Sequence, residues 1–220
     1  MVRAERYADR SEAGRVLAHE LEAAPPDDPV VLALPRGGVP VAAEIAAQLQ
    51  VPAGVFVVRK VGAPGRAELG IGAVPEGGVE VRDEAAIAAL RVSAEQFSAL
   101  AADQQVEVDR RVRRYRGASP LPPVAGREVV VVDDGLATGV TAEAAVRDLR
   151  ARGPRSLTLA VPVAAASSHR RLAELVDRLV CPWVCEPFLA VGEWYHDFRQ
   201  TTDDEVVAAL AVDHGPSPAW

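Results

Sequence analysis

Aromatic residues are scarce in this sequence. Phe, Trp and Tyr together supply 5% of the 220 positions, and there is one methionine. A core must therefore be assembled from Ala, Val and Leu. Cysteine is limited to Cys181 and Cys185, too few for a disulfide-stapled scaffold. With Pro182 and Trp183 between them, the two could form half of a zinc site. A structural zinc needs four ligands, however, and the histidines at 19, 169, 196 and 214 are scattered. Two reduced thiols are the expectation. No apolar run approaches the ~20 residues of a membrane span, and residues 1–7 lack the apolar stretch of a secretory signal. A cytoplasmic protein with no membrane partner is expected. Positive charge is also in deficit, with 24 Lys and Arg against 31 Asp and Glu and a formal net charge of −7. That disfavours non-specific nucleic-acid binding through a global positive field, and no nucleic-acid partner is expected.

What the chain has is aliphatic residues in runs. It is 49% hydrophobic, with Val-rich stretches separated by Ala-rich ones and no internal repeats. This suits an α/β fold with helices on both faces of a sheet, and the length fits one domain. The pattern predicts a helix from Ser11 to about Ala24 with Ser11 as cap, a strand from Val30 to Leu34, and a helix from about Val41 to Leu49. A strand from Val51 to Val58 follows. The Gly- and Pro-rich stretch from Val61 to Gly78 reads as an extended excursion with a short hairpin around Gly70 to Val81. Helix is expected from Asp83 to about Arg116, broken near Val92-Ser93, and a linker from Pro120 to Gly126. Next come a strand at Val129–Val132, a helix to about Arg152, a strand from Ser156 to Val163, and a helix from Ser168 to about Asp177 capped by Ser167 or Ser168. A short strand from Arg178 to Cys181 and a last helix from Asp203 to about Val212 complete the pattern. Strands alternating with helices imply a right-handed parallel sheet.

The most informative stretch is Val129-Val130-Val131-Val132-Asp133-Asp134-Gly135-Leu136-Ala137-Thr138-Gly139-Val140-Thr141. Four β-branched residues in a row read as a strand buried on both faces. Two carboxylates stand at its carboxyl end, where open α/β sheets bind ligands. A small-residue loop then opens a helix, whose free N–H groups and positive dipole end favour a phosphate. The acids would repel that phosphate, so they are expected to face the hydroxyls of an attached sugar. A second stretch, Leu34-Pro35-Arg36-Gly37-Gly38-Val39-Pro40, puts glycine backbone beside a guanidinium and suits an anion; a plain glycine turn is the alternative. A third, Arg59-Lys60 with Gly62, Pro64, Gly65, Arg66 and Glu68, suits a polyphosphate or two solvated cations flanking a loop. A fourth, from Glu186 to Phe198, holds four of the ten aromatics, Phe188, Trp194, Tyr195 and Phe198. It reads as a platform for a planar heterocycle or as a satellite core. The basic run from Arg110 to Arg116 follows Glu107 and Asp109 and reads as a solvated helix face.

The signature stretch resembles the phosphoribosyl-pyrophosphate motif of type I phosphoribosyltransferases, with Gly135 standing where most members carry an apolar residue. The resemblance implies a parallel sheet of about five strands, with a core at about 28–165, a hood at about 1–27 and 166–212, and a frayed tail at 213–220. It implies Mg²⁺-dependent transfer of 5-phosphoribosyl from phosphoribosyl pyrophosphate to a nucleobase-like acceptor, with a homodimer as the family's common state. Asp133, Asp134 and Lys60 would be catalytic, and the two acids would approach the metal through water. Ala137, Thr138, Gly139, Val140 and Thr141 would hold the 5-phosphate. Arg36, Gly37 and Gly38 would take the pyrophosphate, with a cis Pro35–Arg36 bond. Phe188, Trp194 and Tyr195 would meet the base. Ala137 replaces the Asp of the 6-oxopurine branch, so Glu68 or Asp197 would have to supply a proton acceptor for such a base. The competing expectation is a regulator of the same fold that senses phosphoribosyl pyrophosphate without turnover.

Overall fold

The computed structural model describes residues 6–78 and 80–211; the tail expected to fray lies outside them. Helix α1 (Arg10–Glu22) leads to β1 (Val30–Ala33), α2 (Gly38–Leu49) and β2 (Ala53–Val55). A second sheet follows, formed by β3 (Val58–Ala63), β4 (Arg66–Pro75) and β5 (Val81–Arg82), and then α3 (Glu84–Leu90) and α4 (Ala94–Arg116). The chain returns to the main sheet with β6 (Glu128–Val132), α5 (Val140–Ala151) and β7 (Ser156–Ala160). It closes with β8 (Val163–Ala165), α6 (Ala166–Ala173), β9 (Arg178–Val180), β10 (Trp183–Cys185), a 3₁₀ turn (Val191–Trp194) and α7 (Asp203–Leu210). No described helix is long and apolar enough to cross a membrane.

The main sheet is parallel throughout, in the order β2-β1-β6-β7-β9. Its centre explains the valine run. Side chains alternate across a strand, so Val129 and Val131 join Leu157, Leu159 and α5 on one face. Val130 and Val132 join Leu17, Leu21 and Ile45 from α1 and α2 on the other. Both faces are dry, which is why no polar residue interrupts the strand.

Several boundaries differ from the sequence pattern for local reasons. Asp9, not Ser11, caps α1, its carboxylate accepting from the Glu12 N–H at 2.9 Å. Helix α2 begins at Gly38 rather than Val41, with Pro40 inside its first turn, where a missing N–H costs nothing. The apolar run from Val51 to Val58 serves two sheets, because the chain turns at Phe56-Val57 and buries those two residues in opposite cores. The stretch that composition marks as a loop is a long antiparallel hairpin. It starts at Val58, turns at Pro64-Gly65 and shifts register near Gly62. The strand expected to run from Ser156 to Val163 ends at Ala160, and beyond Pro162 the chain pairs instead with β10. Helix α6 starts at Ala166 without a side-chain cap.

Candidate active site

The carboxyl ends of β1 and β6 lie side by side, since the two strands pair in register from Val30↔Val129 to Ala33↔Val132. That adjacency brings the Arg36-Gly37-Gly38 loop against the Asp133-Asp134 pair. The Pro35–Arg36 peptide is cis. A Cβ on Gly37 would fall 2.0 Å from Asp134 Oδ2, and one on Gly38 would fall 2.5 Å from the Val132 carbonyl. The two loops touch only because both positions are glycine.

The loop from Ala137 to Thr141 opens α5 with free backbone donors among the described residues. Gly139, at φ +71°, caps α5. The backbone N–H groups of residues 138–141 meet no acceptor among the described residues. They are orphan donors of a helix start. The loop's carbonyls are fixed from behind. Ser168 donates to Ala137 O at 2.6 Å, and Arg171, paired with Glu143, donates to Thr138 O. In the Arg36 loop the N–H of Gly38 is already taken by Leu34 O at 3.0 Å. Gly38 therefore supplies close packing and not a free donor, which corrects its place among the expected pyrophosphate donors.

The two acids are not equivalent. Asp134 accepts from Arg10 Nε at 2.9 Å and Nη2 at 2.7 Å. Asp133 accepts only from the Asp134 backbone N–H, at 2.9 Å, among the described residues. Burial, and then the neighbouring Asp134 charge, push the Asp133 carboxyl well above the usual carboxylate range. Burial raises Asp134 as well, against the pull of Arg10. Lys60 is exposed on β3 and lies close enough to draw both acids downward. Arg36 stands 3.7 Å from Asp203 of α7, which also accepts from Tyr115 at 2.6 Å.

The aromatic segment divides in two. Tyr195 is 2% exposed, packed among Tyr7, Phe198 and Arg10, and its hydroxyl donates to Asp134 O at 2.7 Å. No base can stack on it, so its expected base-binding role is corrected to a structural one. Trp194 stacks on Phe188 at 6.3 Å and meets Trp183 edge-on, its indole N–H buried. Phe188 lines a cavity of about 680 Å³ together with Ala137, Thr138, Val140, Ser167 and Arg82. Asp197 lies elsewhere, in a small cavity beside Arg10 and Arg199. Gly135 is explained by Val191 and Val163, which sit 2.7 and 3.0 Å from where its Cβ would be.

Sequence reasoning missed Arg10. Nothing local marks it, since it opens a helix 124 residues away from its partner. The basic run on α4 is the solvated face expected, with Arg110, Arg113 and Arg114 exposed. Its arginines are largely paired: Arg110 and Arg111 with Glu107, Arg114 with Asp203 and Asp204, and Arg116 with Glu76. Neither cysteine is in a disulfide. No described cluster of three or more His, Cys, Asp or Glu is placed to hold a metal. Asp133 and Asp134 are the acids nearest this loop, and a half-buried acid with no cation bonded to it, as Asp133 is among the described residues, suits a divalent cation.

A five-stranded parallel sheet with this loop at its centre is the core of the type I phosphoribosyltransferases. The family described as "Phosphoribosyl transferase domain" matches residues 7–188, and the chain belongs to it. The crystal structure of TT1426 from Thermus thermophilus is 43% identical, with a TM-score of 0.78 over 93% of this chain and 97% of that one. "Putative phosphoribosyl transferase Rv0571c" of Mycobacterium tuberculosis H37Rv is 44% identical over 208 residues, 94% of this chain and 47% of its own length. Its counterpart in strain CDC 1551 matches equally. The chain thus spans about half the length of the curated relatives it matches. The AQ2163 protein of Aquifex aeolicus, 15% identical with a TM-score of 0.51 over 83% of this chain and 78% of that one, shares the fold.

Proposed function

We propose that this chain transfers the 5-phosphoribosyl group of phosphoribosyl pyrophosphate to a ring nitrogen of a nucleobase-like heterocycle. The bond from C1 of the ribose to pyrophosphate oxygen breaks, a C1–N bond forms, and the acceptor nitrogen gives up its proton to the released pyrophosphate or to water. The observation that supports this best is the meeting of three features on adjacent strands: four unpartnered N–H groups at residues 138–141, the acid pair, and the Arg36 loop. The first holds the 5-phosphate, with the Thr138 and Thr141 hydroxyls beside it. The acids receive the ribose hydroxyls. Arg36 and Gly37 take the departing pyrophosphate, and Lys60 at the mouth adds positive charge where negative charge develops. Mg²⁺ held near Asp133 and Asp134 would neutralise charge on the leaving group.

The acceptor enters the cavity beside Phe188, whose ring offers a stacking face. Alanine at 137 leaves the signature loop itself without an acid for the base, and Asp197 lies outside this cavity; the acids that line it are Asp83, Glu84 and Glu143. Calorimetric titration of phosphoribosyl pyrophosphate with Mg²⁺ into wild type and the Asp133→Asn/Asp134→Asn variant tests the reading. Magnesium-dependent binding lost in the variant, followed by acceptor-dependent pyrophosphate release, supports it. Absence of binding by wild type overturns it, and binding without turnover of any acceptor points to the regulator.

A further inference from the structure

We propose that Ser168 and Arg171 of α6 are positioning residues for the donor's 5-phosphate. They act through the Ala137–Thr141 loop, and so bring a helix outside the signature stretch into donor binding. This rests on the phosphoribosyl-transfer reading above, in which that loop holds the phosphate.

In a trans peptide the carbonyl and the following N–H point in opposite directions across one plane. The peptides of this loop are trans, so whatever holds a carbonyl also aims the N–H of the next residue. Ser168 donates to the Ala137 carbonyl at 2.6 Å and thereby aims the Thr138 N–H. Arg171 donates to the Thr138 carbonyl and aims the Gly139 N–H. Both N–H groups therefore face away from α6. The next carbonyl, of Gly139, accepts from the Glu143 N–H at 2.9 Å within α5. The backing is close. A Cβ on Gly139 would lie 3.0 Å from Leu172 Cδ1, 3.2 Å from Arg171 Nη2 and 3.4 Å from Ser168 Cβ. It is also firmly seated, since Ser168 is 1% exposed, Leu172 belongs to the core, and β8, which leads straight into α6, is bonded to Leu136.

Arg171 has an electrostatic part as well. Glu143 stands in the first turn of α5, where its charge would repel a phosphate. One of its oxygens meets Arg147 Nη2 at 2.9 Å and the other meets Arg171 Nε at 3.0 Å. Two guanidinium groups on one carboxylate leave the helix start with a surplus of positive charge. Arg171 lines the same cavity as Thr138, so that surplus lies beside the loop.

Calorimetric titration with ribose 5-phosphate, and separately with inorganic pyrophosphate and Mg²⁺, divides the donor into the part that α6 serves and the part that it does not. Ser168→Ala releases the Ala137 carbonyl and should weaken ribose 5-phosphate binding about 3- to 10-fold, the worth of one hydrogen bond, with pyrophosphate binding within about twofold of wild type. Arg171→Gln leaves Glu143 to Arg147 alone and should give a loss of similar size for ribose 5-phosphate only. Arg171→Lys, which keeps the charge, should recover part of it. A purely structural role would shift the thermal midpoint without this selectivity between the two ligands. If Ser168→Ala does not fold, the substitutions at Arg171, an exposed side chain, carry the same test. Unchanged ribose 5-phosphate binding in Ser168→Ala or Arg171→Gln, or equal losses of both ligands, overturns the proposal. A wild type that binds neither ligand overturns the transferase reading instead.

Discussion

Gly37→Ala isolates the fit between the Arg36 loop and the acid pair. Gly37 has φ −63° and ψ −35°, an ordinary right-handed conformation, so alanine meets no backbone penalty there. If space were free, the substitution would stabilise by about 0.4–1 kcal/mol through the unfolded chain. Space is not free, because the new methyl would lie 2.0 Å from Asp134 Oδ2. The carboxylate must retreat by about 1 Å to reach a normal contact, which carries its bonds to Arg10 beyond hydrogen-bonding range. Overpacking of this kind costs about 1–3 kcal/mol, and breaking a buried ion pair sets an upper bound of about 3–5 kcal/mol. For a chain of this length the midpoint falls about 2–4 °C per kcal/mol, a drop of roughly 2–12 °C. Scanning calorimetry of wild type, Gly37→Ala, Asp134→Ala and the double variant closes a cycle. The double variant is expected to be more stable than the sum of the singles predicts by about 0.5–3 kcal/mol. An unchanged or higher midpoint for Gly37→Ala would refute the close approach.

Other predictions follow from single contacts. Tyr195→Phe removes the hydrogen bond to Asp134 O and should cost about 1 kcal/mol, measured by denaturant titration. Hydrogen bonds from Arg110 and Arg111 hold Glu107 at about 2, below its ordinary 4.5. A depressed carboxylate stabilises above its unfolded value, and the gain is lost as pH falls toward the folded one. Glu107→Gln should therefore have a small midpoint deficit at pH 7 that closes between pH 4.5 and 2, small because the pair is open to solvent. Burial pushes the Cys181 thiol up to about 12, so an alkylating reagent at about pH 8 should modify Cys185 first, read by peptide mass. Phe188→Ala should raise KM for the heterocycle, by about 0.5–1.5 kcal/mol of lost stacking, and leave donor KM unchanged in steady-state assays.

Where sequence and structure agree, the signal was local. The valine run, the acids behind it and the small-residue loop are contiguous, so strand, loop and helix start could all be read from one unbroken stretch. The break at Val92-Ser93 was equally legible, because Ser93 with Gln96 forms a capping box. What escaped depends on contacts distant in sequence. Arg10 gains meaning only when α1 packs beside β6. Tyr195 looked like a platform by composition, but burial makes it an anchor. The glycines at 62, 65, 70 and 72 spelled a loop, although Gly72 belongs to a strand where the Phe97 ring fills the space of a side chain, 2.9 Å from a would-be Cβ. The free N–H expected of Gly38 disappeared because helix α2 reaches further back than its apolar pattern.

The short β8–β10 sheet has a consequence for motion. Leu136, between the acid pair and the small-residue loop, donates to Val163 O at 2.9 Å and accepts from the Ala165 N–H at 2.8 Å. Gly135 is locked under Val191, and Tyr7 bridges to Tyr195. The aromatic roof and the signature loop are thus stitched into one rigid jaw, and a rotation of either would drag the other. The tip of the β3–β4 hairpin at Pro64-Gly65 lies exposed, outside this unit. Changes at the tip should therefore leave the packing of the roof and the signature loop as it is, whereas a change at Gly135 should disturb both.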